Sequence, residues 1–178
     1  MGTRSAIGVM HGDVCKAIHC HYDGYPEHNG RILLDYYTSE RANTLISHGN
    51  MNILGKEIYP KADSPHSFDH PQDDVCVFYD RDRGDSHSTW QVFSKFEDMI
   101  DYFSDCEFFY VMRDGVWYVS DGGESLELLS EVLAALEETK PPLPAVKIAK
   151  EAVRPQFRDG LERACYFPNA SGRGLPCT

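Results

Sequence analysis

Residues 108–121 read FFYVMRDGVWYVSD, and this stretch decides the fold. Asp114-Gly115 divides it into two arms rich in aromatic and β-branched residues, and Asp-Gly supplies the positive-φ pair of a two-residue type I′ turn. Both arms carry apolar side chains on both faces. A strand of that kind has cover on both sides, so the stretch predicts a hairpin placed centrally in a sheet.

Upstream, Phe96, Met99, Ile100 and Phe103 fall at helical spacing, and Ser94 with Glu97 predicts a capping box at the start of that helix. Two strands, 75–80 and 89–93, precede it, joined by the charged turn Asp80 to Asp85. Residues 50–74 lack periodicity and read as a long loop. Nearer the N-terminus, 4–10 and 15–22 predict a strand pair joined by the turn His11 to Val14. Alternation places Ile18, Cys20 and Tyr22 on one face of the second strand, with Ala17, His19 and His21 on the other. Asp23-Gly24-Tyr25-Pro26 ends that strand. Short helices follow over 29–37 and from Ser39, the latter stopped by Gly49.

Downstream, 124–139 predicts a helix with a stripe of Leu126, Leu129, Leu133 and Leu136. That stripe is wide enough for core packing or for a homodimer formed through the Leu126–Leu136 helix. Pro141-Pro142-Leu143-Pro144 reads as a stiff linker. The expected architecture is a single α+β domain over 1–140, a mostly antiparallel sheet built from hairpins with helices packed on one side. Residues 141–178 are expected to form a peripheral or partly disordered tail, with one short helix from Val146 to Val153.

The 178 residues carry 17 basic and 28 acidic side chains, a formal charge of −11. That charge repels a nucleic-acid backbone, which argues against a general nucleic-acid-coating role. No apolar run is long enough to span a membrane. Cys15, Cys20, Cys76, Cys106, Cys165 and Cys177 show neither C-x-x-C pairing nor a preceding signal peptide, which points to free thiols in a reducing cytosol. Arg83-Gly84-Asp85, Asn169-Ala170-Ser171 and Leu175-Pro176-Cys177-Thr178 match extracellular motifs by chance.

Three segments carry possible chemistry. His19, His21 and Asp23 would share one strand face at spacings of roughly 6.5–7 Å, a pattern suited to one divalent metal if the strand continues. Such a centre would serve a metal-dependent hydrolase of a nucleotide or phosphoester, with Asp69 or His70 of the segment His66 to Asp74 as base. Asp80-Arg81-Asp82-Arg83-Gly84-Asp85 offers two guanidiniums for a phosphate or carboxylate, or an internal ion-pair turn. Tyr22 and Tyr25 would stack on a ring-bearing ligand. No nucleophile elbow, phosphate loop or dinucleotide fingerprint occurs, and alternation aims Cys20 away from His19 and His21.

MGTRSAIGV at the start, the segment HCHYDGYPEHNGRILLDYY, and then HSFDHP and FYDRDRGD resemble a group of small proteins encoded by tailed bacteriophages, which begin with MGTRS and carry C-H-x-D-G-Y-P. The resemblance covers about residues 1–120 and transfers no catalytic residues. It implies a phage accessory protein acting in the host bacterial cytoplasm. Together with the missing catalytic signature, it gives the leading expectation: a non-enzymatic binder of a host protein or a small nucleotide-like ligand, in host takeover or counter-defence, with no cofactor. Tyr22, Tyr25, Arg81 and Arg83 are the expected ligand contacts. The alternatives are the hydrolase, with its divalent metal, and a virion or assembly component.

Overall fold

The computed structural model describes residues 2–139. The expectations placed on Lys140 and beyond, including the linker and tail, lie outside the described residues. Within them the chain is α+β, with one mixed, largely antiparallel sheet of eight strands. In chain order these are β1 (Ser5–His11), β2 (Val14–Cys20), β3 (Met51–Ile53), β4 (Val77–Phe78), β5 (Gln91–Phe93), β6 (Phe108–Arg113), β7 (Val116–Asp121) and β8 (Glu127–Leu128). The helices are α1 (Arg31–Tyr36), α2 (Ser39–Ser47), α3 (Tyr79–Arg83), α4 (Phe96–Tyr102) and α5 (Leu129–Thr139), with a π-type turn over Pro26–Gly30 before α1.

The sheet runs β4-β3-β2-β1-β6-β7-β8, with β5 pairing the far end of β2. The predicted hairpins form: β1 pairs β2 antiparallel, and β6 pairs β7 around Asp114 and Gly115, at φ 51° and 82°. Positive φ at both positions matches the right-handed strand twist, as the Asp-Gly signal requires. The join between the hairpins was not predicted. β1 lies parallel to β6, Ile7 opposite Tyr110, so the hairpin expected to be central is flanked by the first one.

Two apolar clusters cover the two faces. On one, Ile7, Val9, Ile18 and Tyr110 pack against Leu33 of α1, Ala42 and Leu45 of α2, and Leu129 and Leu133 of α5. On the other, Ala6, Ala17, Phe109 and Val111 pack against Met99 of α4 and Phe103. Most helices therefore share one face, while α4 covers the opposite one. Burying each large apolar side chain contributes roughly 1.5–3 kcal/mol, so neither face is left uncovered.

Local chemistry corrects four predicted boundaries. The capping box does not form: α4 is capped at Lys95, one residue past Ser94, with no side-chain hydrogen bond to the cap. Its predicted face holds, since Met99 and Phe103 are buried and Phe96 and Ile100 pack beside them. The predicted helix over 124–139 begins only at Leu129, because Glu127 and Leu128 pair with Val119 and Tyr118. Its stripe is thereby split. Leu126 packs on the α4 face, and Leu129, Val132, Leu133 and Leu136 pack on the other. The charged turn after β4 is instead the one-turn helix α3, ended by Gly84 at φ 79°. Finally, β3 forms inside the segment expected to be loop, pairing Met51 with Cys20 and Phe78.

Candidate functional site

β2 ends at Cys20, and its last residues set the first site. The backbone N–H groups of His21 and Tyr22 donate to Met51 and Asn52, and Asp23 turns into positive φ at 57°. Asp23 has thus left the strand face that His19 occupies. Among the described residues, the one group of metal-capable donors within 4.8 Å of one another is His19, Asp105 and Cys106. The predicted set of His19, His21 and Asp23 is not assembled. His21 stays on His19's side, with ring centroids 6.1 Å apart, and Tyr22 packs edge-on against His21 at 4.6 Å.

His19 lies beneath Phe103, ring centroids 6.4 Å apart and near parallel, and its Nε2 stands 3.5 Å from Asp105 Oδ2. Arg4 Nε reaches the same oxygen at 3.5 Å. Burial lowers the imidazole's pKa, against a raising influence from Asp105, so the neutral ring is favoured. Burial and the neighbouring Asp105 carboxylate push the Cys106 thiol upward.

The turn after β2 explains the motif residues in structural terms. Asn29, fully buried, donates through Nδ2 to Tyr22 O at 3.1 Å and contacts Ser5 Oγ at 3.4 Å and Cys20 Sγ at 3.5 Å. Its Oδ1 lies 3.0 Å from His28 Nδ1. Gly24 N donates to Thr3 O at 2.9 Å, and Gly24 O accepts from Tyr110 Oη at 2.8 Å. A Cβ at Gly24 would lie 2.8 Å from the Arg4 carbonyl carbon, so only glycine fits without movement. Cys20 points into this network, and burial holds its thiol up at about 12, which removes it as a nucleophile.

Both arginines of α3 are engaged in ion pairs within their own segment. Arg81 donates to both carboxylate oxygens of Asp82 at 2.7 and 2.8 Å, and to Ile58 O and Cys76 O, each at 2.6 Å. Asp82 accepts from Phe78 N at 2.7 Å and stands 3.4 Å from His66 Nε2, with the Asp82 and His66 side chains almost wholly enclosed. Since His66 Nδ1 accepts from Gln72 N at 3.1 Å, its proton sits on Nε2 and faces Asp82. Burial alone would raise the Asp82 carboxyl, but Arg81, the Phe78 N–H and His66 outweigh it and hold it below its usual value. Arg83 is forked onto Asp85 and lies over the rings of Phe68 and Tyr79, at 4.8 and 4.5 Å. The ion-pair reading of this segment is the one realised. It clamps loop 54–74 to the sheet edge, and it leaves Asp69 and His70 on the exposed outer side of that loop. Tyr25 is separate again, lining a cleft of about 450 Å³ with Glu27, Asp121, Glu124 and Glu127.

Sequence reading missed a cleft of about 520 Å³ on the α4 face of the sheet. Met10 and Cys15 of the first hairpin, Val111 of β6, and Phe93, Phe96 and Leu126 form its apolar wall. Lys95, Arg113, Asp13, Ser94 and Tyr118 supply the polar groups. Neither Lys95 nor Arg113 has an ion-pair partner among the described residues; Lys16 and Lys61 also lack one but do not line this cleft, and Arg4, Arg31, Arg41, Lys56, Arg81 and Arg83 are all paired. The signal was present in the sequence: Arg113 ends an otherwise apolar strand, and Lys95 sits one residue before a helix whose face is apolar. Cys15 is buried at the cleft floor, its thiol raised by burial to about 11 and directed at Met99 Sδ, 3.9 Å away.

No described helix is long and apolar enough to cross a membrane. Set against known proteins, the chain matches no family model, no curated protein and no solved structure.

Proposed function

We propose that this chain is a non-enzymatic binding protein that holds a small, anionic, ring-bearing ligand of the nucleotide-like class in the α4-face cleft. The observation that carries the reading is that two cations without ion-pair partners among the described residues, Lys95 and Arg113, line one cleft with an aromatic wall in a chain of net charge −11. A concave, mostly apolar surface with a few converging polar groups is the usual form of a small-ligand site. Phe93 and Phe96 offer ring faces for stacking, Lys95 and Arg113 meet phosphate or carboxylate, and Asp13 accepts from a sugar hydroxyl or base N–H. Volume also fits, since about 520 Å³ lies within the range of small-molecule sites.

The resemblance of the MGTRS and C-H-x-D-G-Y-P segments to small tailed-phage proteins supplies the setting: an accessory protein in the host bacterial cytoplasm that sequesters a host-derived ligand. The test is native mass spectrometry of the full chain purified gently from bacterial cytosol, followed by denaturation to release what is bound. One small organic anion per chain, absent from Lys95→Ala/Arg113→Ala, supports the reading. A stoichiometric host protein in its place, retained by the double variant, contradicts it and favours protein capture.

A further inference from the structure

Beyond the cleft, we propose that His19 Nε2, a carboxylate oxygen of Asp105 and Cys106 Sγ together bind one divalent cation of the zinc class. These donors come from distant segments, the end of β2 and the turn between α4 and β6, yet they lie within 4.8 Å of one another. Tetrahedral zinc with bonds of 2.0–2.3 Å needs donors about 3.3–3.8 Å apart. The His19–Asp105 separation of 3.5 Å already meets this, and the other two pairs, within 4.8 Å, need small side-chain rotations at both Cys106 and the largely exposed Asp105.

The two enclosed donors are the ones without partners. His19 Nε2 is buried and, apart from the Asp105 oxygen 3.5 Å away, has no hydrogen-bond partner. Among the described residues the thiols of Cys15, Cys20 and Cys76 all make polar contacts, and Cys106 Sγ makes none. Buried polar groups are normally satisfied, so two unsatisfied donors beside one carboxylate mark a position built for a further atom. A mixed N, S and O set excludes magnesium and calcium, which take oxygen, and suits a borderline d-block ion.

The turn is already shaped around this position. Cys106 N donates to Phe103 O at 2.9 Å and Glu107 N to Arg4 O at 3.0 Å, which fixes the backbone between α4 and β6. Coordination by Sγ displaces the thiol proton to solvent. Three protein donors leave the fourth position for water. The ion would clip the α4–β6 turn to β2 across the sheet face.

The experiment titrates Co²⁺ into the metal-stripped full chain and follows thiolate-to-cobalt absorption, with Zn²⁺ as competitor. One equivalent should produce the band, and Zn²⁺ should abolish it. Cys106→Ser should remove it, His19→Ala should weaken binding at least tenfold, and Cys15→Ser should leave it intact. Asp105→Asn, at a largely exposed side chain, tests the same site where the buried variants fail to fold, and should weaken binding to a similar degree. No band at stoichiometric cobalt, or a band that survives both Cys106→Ser and Asp105→Asn, overturns the proposal.

Discussion

Asn29 Nδ2 lies 3.4 Å from Ser5 Oγ, and both side chains are fully buried. Through this contact and the bonds of Asn29 to Tyr22 and Cys20, the start of β1, the end of β2 and the π-type turn before α1 become one unit. Asn29→Ala leaves the fully buried Ser5 Oγ without this partner and removes a bond to Tyr22 O, so it should cost about 1–3 kcal/mol. Urea denaturation of the two proteins checks this through the midpoint at unchanged slope.

Gly24 and Tyr110 support the same turn from below. Gly24→Ala drives a methyl against the Arg4 carbonyl, and overpacking of this kind costs about 1–3 kcal/mol. Tyr110→Phe removes only the bond to Gly24 O and should cost about 1 kcal/mol. The double variant should fall short of the sum, since both act on one backbone segment. Thermal melts of the three variants decide it.

Asp82 predicts acid sensitivity. Its carboxyl is held below the unfolded value of about 3.9, so its contribution is complete above that pH and is lost as pH falls through the folded value. Asp82→Ala leaves Arg81 and His66 facing an enclosed gap and should cost roughly 3–5 kcal/mol at pH 7. The wild-type advantage should shrink below pH 4. Melting temperatures of both proteins from pH 2.5 to 7 give the comparison.

The local parts of this fold were legible in the sequence; the joins were not. Asp114-Gly115 and the Phe96, Met99, Phe103 face announce themselves within a few residues, and both formed as read. The parallel contact of β1 with β6 has no turn to signal it, because parallel strands are joined by long crossovers. The capping box failed by a single residue of register, and α5 started late because β7 claimed Glu127 and Leu128. The same limit applies to the site. His19 was identified, but its partners Asp105 and Cys106 belong to a turn with no motif of its own, while the alternating Asp and Arg of 80–85 left ligand binding and an internal ion-pair turn both open.

Thiol chemistry separates cleft from core. With Cys15 and Cys20 buried and raised to about 11 and 12, iodoacetamide at pH 8 should leave both unmodified in the folded chain and alkylate both in urea. Peptide mass spectrometry resolves the two sites. A ligand seated over Cys15 should slow its modification further at pH 10 and leave that of Cys20 unchanged.

The most direct test of the central claim is calorimetric titration of the full chain with nucleoside mono-, di- and triphosphates, at low and high salt, beside Lys95→Ala/Arg113→Ala. The account predicts one site per chain, affinity that rises with phosphate number and weakens with salt, and at least a tenfold loss in the double variant. Absence of binding across the series, or binding that the double variant retains in full, would contradict it.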